Sequence, residues 1–204
     1  MTTIPSDLTF QDAGSRTNSI WLNELRSRLN NIDWPQNKPA KIVVLGLNGS
    51  GKSTLIDFLL NGSITDMRRR PTLSFSFNRC NYGDFKAIFV DVPGQVNYWS
   101  KWASYMKGAD AVIFVVDSTK GSDTAQASEI FKRTMQGVEK IPAAFLANKQ
   151  DLGNSLTGNE IRRMMDIASD ERETRFFESI AISGNGITQS LTWLLETAKR
   201  SLNY

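Results

Sequence analysis

The stretch Gly46-Leu47-Asn48-Gly49-Ser50-Gly51-Lys52-Ser53-Thr54 carries the most legible chemistry in this chain, because it fits the pattern G-x-x-x-x-G-K-[ST]. An apolar run, Ile42-Val43-Val44-Leu45, precedes it, and Leu55, Ile56, Phe58, Leu59 and Leu60 follow with helical spacing. That is the strand–loop–helix setting the pattern needs, and it argues against an ordinary glycine-rich turn. Glycines let the backbone curl until its amides point inward, where they and the helix N-terminus can hold phosphate oxygens. Asn48, Gly49, Ser50, Gly51, Lys52, Ser53 and Thr54 are therefore the candidate phosphate cradle. Lys52 would reach the β- and γ-phosphates, and the Ser53 hydroxyl would ligate Mg²⁺. The loop implies a nucleoside triphosphate and does not say which base.

The same loop also suits a transporter-type (ABC) ATPase. That family would need a Leu-Ser-Gly-Gly-Gln-like signature, an apolar strand ending Asp-Glu and a switch histidine. None is present: the candidate strand ends Val90-Asp91-Val92, and the chain has no histidine. Asn148-Lys149-Gln150-Asp151 decides the base. It follows the apolar run Ala143 to Ala147, at a strand's C-terminal end, where α/β sheets bind ligands. The Asp151 carboxylate can accept from both the N1 and N2 protons of guanine, a donor pair that adenine lacks. Asn148 would tie the base edge to the phosphate loop, and the Lys149 stem would lie over the purine face. In Asp91-Val92-Pro93-Gly94-Gln95, Asp91 can hold Mg²⁺ through water, the Gly94 N–H can meet the γ-phosphate, and Gln95 can orient the attacking water. Thr72, between the phosphate loop and Asp91, is the candidate to close over Mg²⁺ and the γ-phosphate. The metal set is thus Ser53, Thr72 and Asp91, and the catalytic pair Gln95 and Lys52.

Elements must hold these residues in place, and the chain is long enough to supply them. Its 204 residues, 40% hydrophobic and 22% charged, suit one α/β domain with an appendage. Residues 1–18 show no periodicity and read as disordered. In 19–37, Trp21, Leu22, Leu25, Leu29 and Ile32 fall on one helical face, followed by a linker bracketed by Pro35 and Pro39. From 38 to 204 strands and helices alternate. Strands are expected at 41–45, 72–81, 85–92, 111–117, 143–148 and 175–181, with helices near 97–107, 124–135, 158–168 and 187–202. The expected fold is a six-stranded, mostly parallel sheet with one antiparallel hairpin turning at Tyr82-Gly83-Asp84, and helices on both faces. A net charge of +3 is too small to argue for nucleic acid, and Arg68-Arg69-Arg70 reads as a solvated loop. Without histidine, His triads and His metal ligands are excluded. A single cysteine, Cys80, fits a reducing compartment, and the chain reads as cytoplasmic.

Together these motifs resemble the small GTPases of the Ras superfamily, and within it the Arf/Arl/Sar branch, over about residues 38–202. Gly-Leu-Asn-x-x-Gly-Lys-Ser-Thr is similar to that branch's Gly-Leu-Asp-x-x-Gly-Lys-Thr-Thr, and Pro71-Thr72-Leu73-Ser74-Phe75 to its Pro-Thr-Ile-Gly-Phe. The interval from Thr72 to Asp91 matches its interswitch hairpin. Trp102 and Tyr105 occupy the places of its switch II tryptophan and tyrosine. Phe114-Val115-Val116-Asp117-Ser118 and Asn148-Lys149-Gln150-Asp151-Leu152 read almost unchanged. Its last guanine motif, Cys-Ala-Thr, appears as Ile180-Ala181-Ile182, which places the Ala181 N–H on guanine O6. The resemblance implies a GTP/GDP switch with Mg²⁺, slow hydrolysis assisted by an activating protein, an exchange factor acting in trans, and a role in vesicle trafficking. GTP would order the switch segments and present Phe75, Tyr82, Trp99 and Trp102 to an effector.

Departures mark where the resemblance stops. Ser74 replaces a glycine, Pro93 replaces the first glycine of Gly-Gly-Gln, and Val90 stands where the branch has tryptophan, which leaves its interswitch shift open. Thr2 follows Met1, so the N-myristoylation glycine is missing. The helix in 19–34 would either meet a membrane surface in the GTP state or pack on its own domain. The alternative function is a hydrolysis-deficient pseudo-GTPase, a guanine nucleotide-bound interaction module.

Overall fold

In β2 (Ala40–Leu45), Ile42 and Val44 belong to one apolar core and Val43 and Leu45 to another, and all are fully buried. Period-two alternation between two cores is what a parallel strand covered on both faces produces. β5 (Ala111–Asp117) and β6 (Ala143–Asn148) are buried at every position for the same reason. The computed structural model describes residues 9–13, 20–64, 72, 74–138, 140–167 and 172–202. Arg68, Arg69, Arg70, Pro71 and Leu73, residues 1–8 and 14–19, and the end of the helix expected at 158–168 lie outside the described residues.

The remaining elements are β1 (Gln11–Asp12), α1 (Ile20–Asn30), α2 (Lys52–Asn61), β3 (Ser76–Tyr82), β4 (Phe85–Asp91), α3 (Trp102–Tyr105), α4 (Thr124–Thr134), α5 (Gly158–Met165), β7 (Thr174–Ser179) and α6 (Ile187–Leu202). The sheet order is β1-β3-β4-β2-β5-β6-β7, and every pairing is parallel except the β3–β4 hairpin. One face carries α1, α2 and α6 through Leu22, Leu25, Leu29, Leu55, Leu59 and Leu194. The other carries α3, α4 and α5 through Trp102, Ile130, Phe131 and Ile161. This is the expected α/β fold with the phosphate loop between β2 and α2. Among the described residues no helix is long and apolar enough to cross a membrane.

The sheet has seven strands rather than six. The extra one, β1, falls in the stretch expected to be disordered: Gln11 and Asp12 pair with Cys80 and Asn81, and the Ala13 N–H donates to Asn81 O at 2.9 Å. A two-residue strand has no period to read; it forms here because the outer edge of β3 offers unpaired backbone. The helix expected across 97–107 is a 3₁₀ turn, Val96–Lys101, followed by the short α3.

α1 does not stand apart from the domain. Leu22, Leu25 and Leu29 are fully buried in the α2/α6-side core. Trp21 stacks on Phe58 with ring centroids 4.4 Å apart and donates its indole N–H to Gly62 O at 3.1 Å. The helix's last residue, Asn30, accepts from the Phe85 N–H at 3.3 Å, beside the hairpin turn at Gly83.

Candidate nucleotide site

The phosphate loop leaves β2 through Gly46, whose φ of +143° and near contact with Val115 O (2.2 Å to an added Cβ) exclude any side chain. Gly51, at φ +104°, turns the chain into α2, and an added Cβ would stand 2.3 Å from the Asn148 amide nitrogen. Gly49 also has positive φ (+77°), but the space beside it is open. The loop is thus packed against the sheet at its ends and open at its middle, the shape a phosphate group requires.

Lys52 is buried, and its ammonium donates to Leu47 O at 2.9 Å across the loop. Burial lowers its pKa from the ordinary value to about 8, with the Asp91 carboxylate pulling the other way. Ser53, one residue on, is where separate segments meet. Its hydroxyl donates to Asp91 Oδ2 at 2.8 Å, and Thr72 Oγ1 lies 2.7 Å from Ser53 Oγ. The phosphate loop, Thr72 and the strand-end carboxylate Asp91 therefore converge at Ser53. Hydroxyl and carboxylate oxygens are the donor set of a hard cation, so Ser53, Thr72 and Asp91 fit Mg²⁺. Gly94 closes this end: an added Cβ would stand 2.5 Å from Lys52 Nζ and 2.6 and 2.7 Å from Leu47 C and Asn48 N. Gln95 precedes the 3₁₀ turn in extended conformation, and its carbonyl accepts from the Tyr98 N–H at 3.0 Å.

At the other end Asn148 is buried and bonded on both sides. Its amide donates to Ser50 O at 2.9 Å, and its carbonyl accepts from the Ala181 N–H at 2.9 Å. The expected tie between Asn148 and the phosphate loop is thus present. The Ala181 N–H, expected to face guanine O6, has Asn148 Oδ1 as its partner in this structure. Thr54, Asn148, Lys149, Asp151, Ala181 and Ile182 line one pocket, and Asp151 is exposed. Gln150, between Lys149 and Asp151, turns inward instead and donates to Leu156 O at 2.7 Å and Ala147 O at 3.3 Å.

Sequence reasoning assigned no role to Asp117. Its carboxylate is buried at the end of β5 and meets Lys149 Nζ at 2.5 Å, while the Thr119 N–H and hydroxyl donate to its other oxygen at 3.1 and 2.7 Å. Burial raises the Asp117 pKa, and the Lys149 and Thr119 bonds together outweigh it, so the carboxyl lies below its ordinary range.

The aromatic residues expected to face an effector divide. Trp102 and Tyr82 are fully buried: the Trp102 indole donates to Pro93 O at 3.0 Å and the Tyr82 hydroxyl to Leu59 O at 2.9 Å. Each polar tip finds a carbonyl inside, so nothing keeps the ring at the surface. Phe75 is 39% exposed and Val96 65% exposed. Trp99 is half-buried, with its indole donating to Gly94 O at 3.0 Å.

The model of the ADP-ribosylation factor (Arf) family matches residues 26–198. ADP-ribosylation factor-like protein 1 of Saccharomyces cerevisiae is 34% identical over 169 residues, covering 81% of this chain and 91% of the relative. ADP-ribosylation factor 1 of Brassica rapa subsp. pekinensis is 32% identical over 166 residues, 80% of this chain and 90% of the relative. Among solved structures, the Arl6 (BBS3) small GTPase of Trypanosoma brucei, with the nucleotide analogue GppNp bound, superposes with a TM-score of 0.71 at 25% identity. That match covers 80% of this chain and 99% of the Arl6 chain. The chain therefore belongs to the ADP-ribosylation factor family, whose members are small GTPases that hydrolyse GTP.

Proposed function

We propose that this protein is a GTP-binding switch in which the γ-phosphate joins the phosphate loop to both switch segments. The observation that carries this reading is the Ser53 hydroxyl, which bonds Asp91 Oδ2 and lies 2.7 Å from Thr72 Oγ1. Those three residues would hold Mg²⁺, and the ion, when bound, supplies positive charge to the β- and γ-phosphates. Lys52 adds its own charge there: anionic phosphates beside the buried amine favour its protonated form. The Gly94 N–H meets the γ-phosphate, and Gln95 orients water for in-line attack. Asp151 accepts from the guanine N1 and N2 protons, and Asn148 holds the base end to the phosphate loop.

Hydrolysis without help is slow, on the order of 10⁻⁴ per second, because the described residues place no arginine at the Lys52–Gly94 end. An activating protein and an exchange factor work in trans. An effector reads Phe75, Val96 and Trp99, and the Trp99 bond to Gly94 O links that surface to the γ-phosphate contact. The apolar face of α1 stays in the core, so this helix anchors the domain to itself rather than to a membrane.

Single-turnover GTP hydrolysis with Mg²⁺ tests the reading. Gln95→Leu should lower the rate about tenfold or more while leaving GTP binding intact. Equal, negligible rates in both proteins would replace the switch with a guanine nucleotide-bound module that does not hydrolyse.

A further inference from the structure

Lys149 has an unusual backbone. Its φ of +72° lies in the left-handed region that side-chain-bearing residues rarely adopt. That conformation ends β6 and sends the chain from Asn148 toward Asp151. The lysine lines the pocket with Thr54, Asp151 and Ala181, yet its ammonium is not left to solvent. It meets Asp117, which the β5–β6 register sets directly opposite Asn148.

The two oxygens of Asp117 have separate tasks. One accepts from the Thr119 N–H and hydroxyl, so the carboxylate cannot rotate without breaking both bonds. The other is left facing Lys149 Nζ, 2.5 Å away. Asp117 is buried and Lys149 about one-third exposed, so the pair is only partly screened by water. A lysine stem otherwise samples many rotamers, and ordering it on binding costs conformational entropy.

We infer that Asp117 is a positioning residue for the base: it fixes the Lys149 head group so that the stem is already set as one wall of the guanine pocket. This rests on the reading of that pocket as a guanine site. Asp117 touches no ligand itself and acts through Lys149.

A double-mutant cycle on GDP affinity tests this, with Asp117→Asn, Lys149→Met and the double variant, and with thermal unfolding as a check on folding. Asp117→Asn keeps an acceptor for Thr119 and removes the charge. It should weaken GDP about tenfold in the parent protein and less than about twofold in the Lys149→Met background. If Asp117→Asn does not fold, Thr119→Val serves instead and should weaken GDP a few-fold, again only when Lys149 is present. Equal losses in both backgrounds, or no loss in the parent, would overturn the inference. If the parent bound no guanine nucleotide, the reading of the pocket would fail first, and the two failures are thereby distinguished.

Discussion

Gly94 sits against Lys52 so tightly that a single added carbon would stand 2.5 Å from the lysine nitrogen. The backbone after Asp91 and the phosphate loop therefore share one surface. The lysine head could move aside, but Leu47 C and Asn48 N, at 2.6 and 2.7 Å, are backbone and could not. Gly94→Ala should cost roughly 1–3 kcal/mol wherever the closed arrangement is required. On the proposed reading, in which only GTP brings a γ-phosphate to Gly94, the variant should lose GTP affinity about tenfold more than GDP affinity. Competitive displacement of labelled GDP by each nucleotide measures the difference.

Lys52 also gives the site a pH dependence. Burial lowers its folded pKa to about 8, whereas an unfolded chain keeps the proton to about pH 10.4. Between those values the unfolded state binds more protons, so stability rises with pH. Cys80 acts in the opposite sense, since burial pushes its thiol to about 12 and the unfolded thiol ionises from about pH 8.5 upward. Between about pH 7.5 and 8.5 the Lys52 contribution amounts to about 0.5–1 kcal/mol, and the thiol offsets about half of it. The thermal midpoint of nucleotide-free protein should rise by roughly 1 °C across that window, and Lys52→Met should remove the rise.

The N-terminal helix offers a stability test. Leu25 is fully buried in the core that α1 shares with α2 and α6. Leu25→Ala should cost about 2–5 kcal/mol of unfolding free energy by denaturant titration. A loss under about 0.5 kcal/mol would mean that the helix contributes little to the domain.

The same packing bears on membranes. Neither GDP-loaded nor GTP-loaded protein should float with liposomes, because the face that would insert is the face already buried. Flotation of the GTP form alone would show that the helix leaves its core site when γ-phosphate binds.

What the sequence disclosed depended on how local the determinant was. The phosphate loop and Asn148-Lys149-Gln150-Asp151 are contiguous, and the strands before them are plain apolar runs, so loop, strand and helix could be placed together. Thr72, Asp91 and Ser53 were legible only as a set in the right order, and their hydroxyl and carboxylate oxygens do meet. Asp117 stands in the sequence as a strand end within a family-like motif, without a visible role, because its partner is brought to it by the β5–β6 register. Gln11 and Asp12 carry no period that could reveal a strand. Trp102 and Tyr82 looked like surface aromatics because composition cannot show that Pro93 O and Leu59 O wait inside to accept from them.

Base selectivity tests the central claim most directly. Labelled GDP bound to the protein would be displaced by GTP, ITP and ATP in turn, in parallel with an Asp151→Asn variant. With guanine held by Asp151, GTP should displace best. ITP, lacking the N2 donors, should be about tenfold or more weaker, and ATP should be weaker by a thousandfold or about that. Asp151→Asn should erase most of the GTP advantage. Displacement by ATP as readily as by GTP, or a GTP preference unchanged in Asp151→Asn, would contradict it.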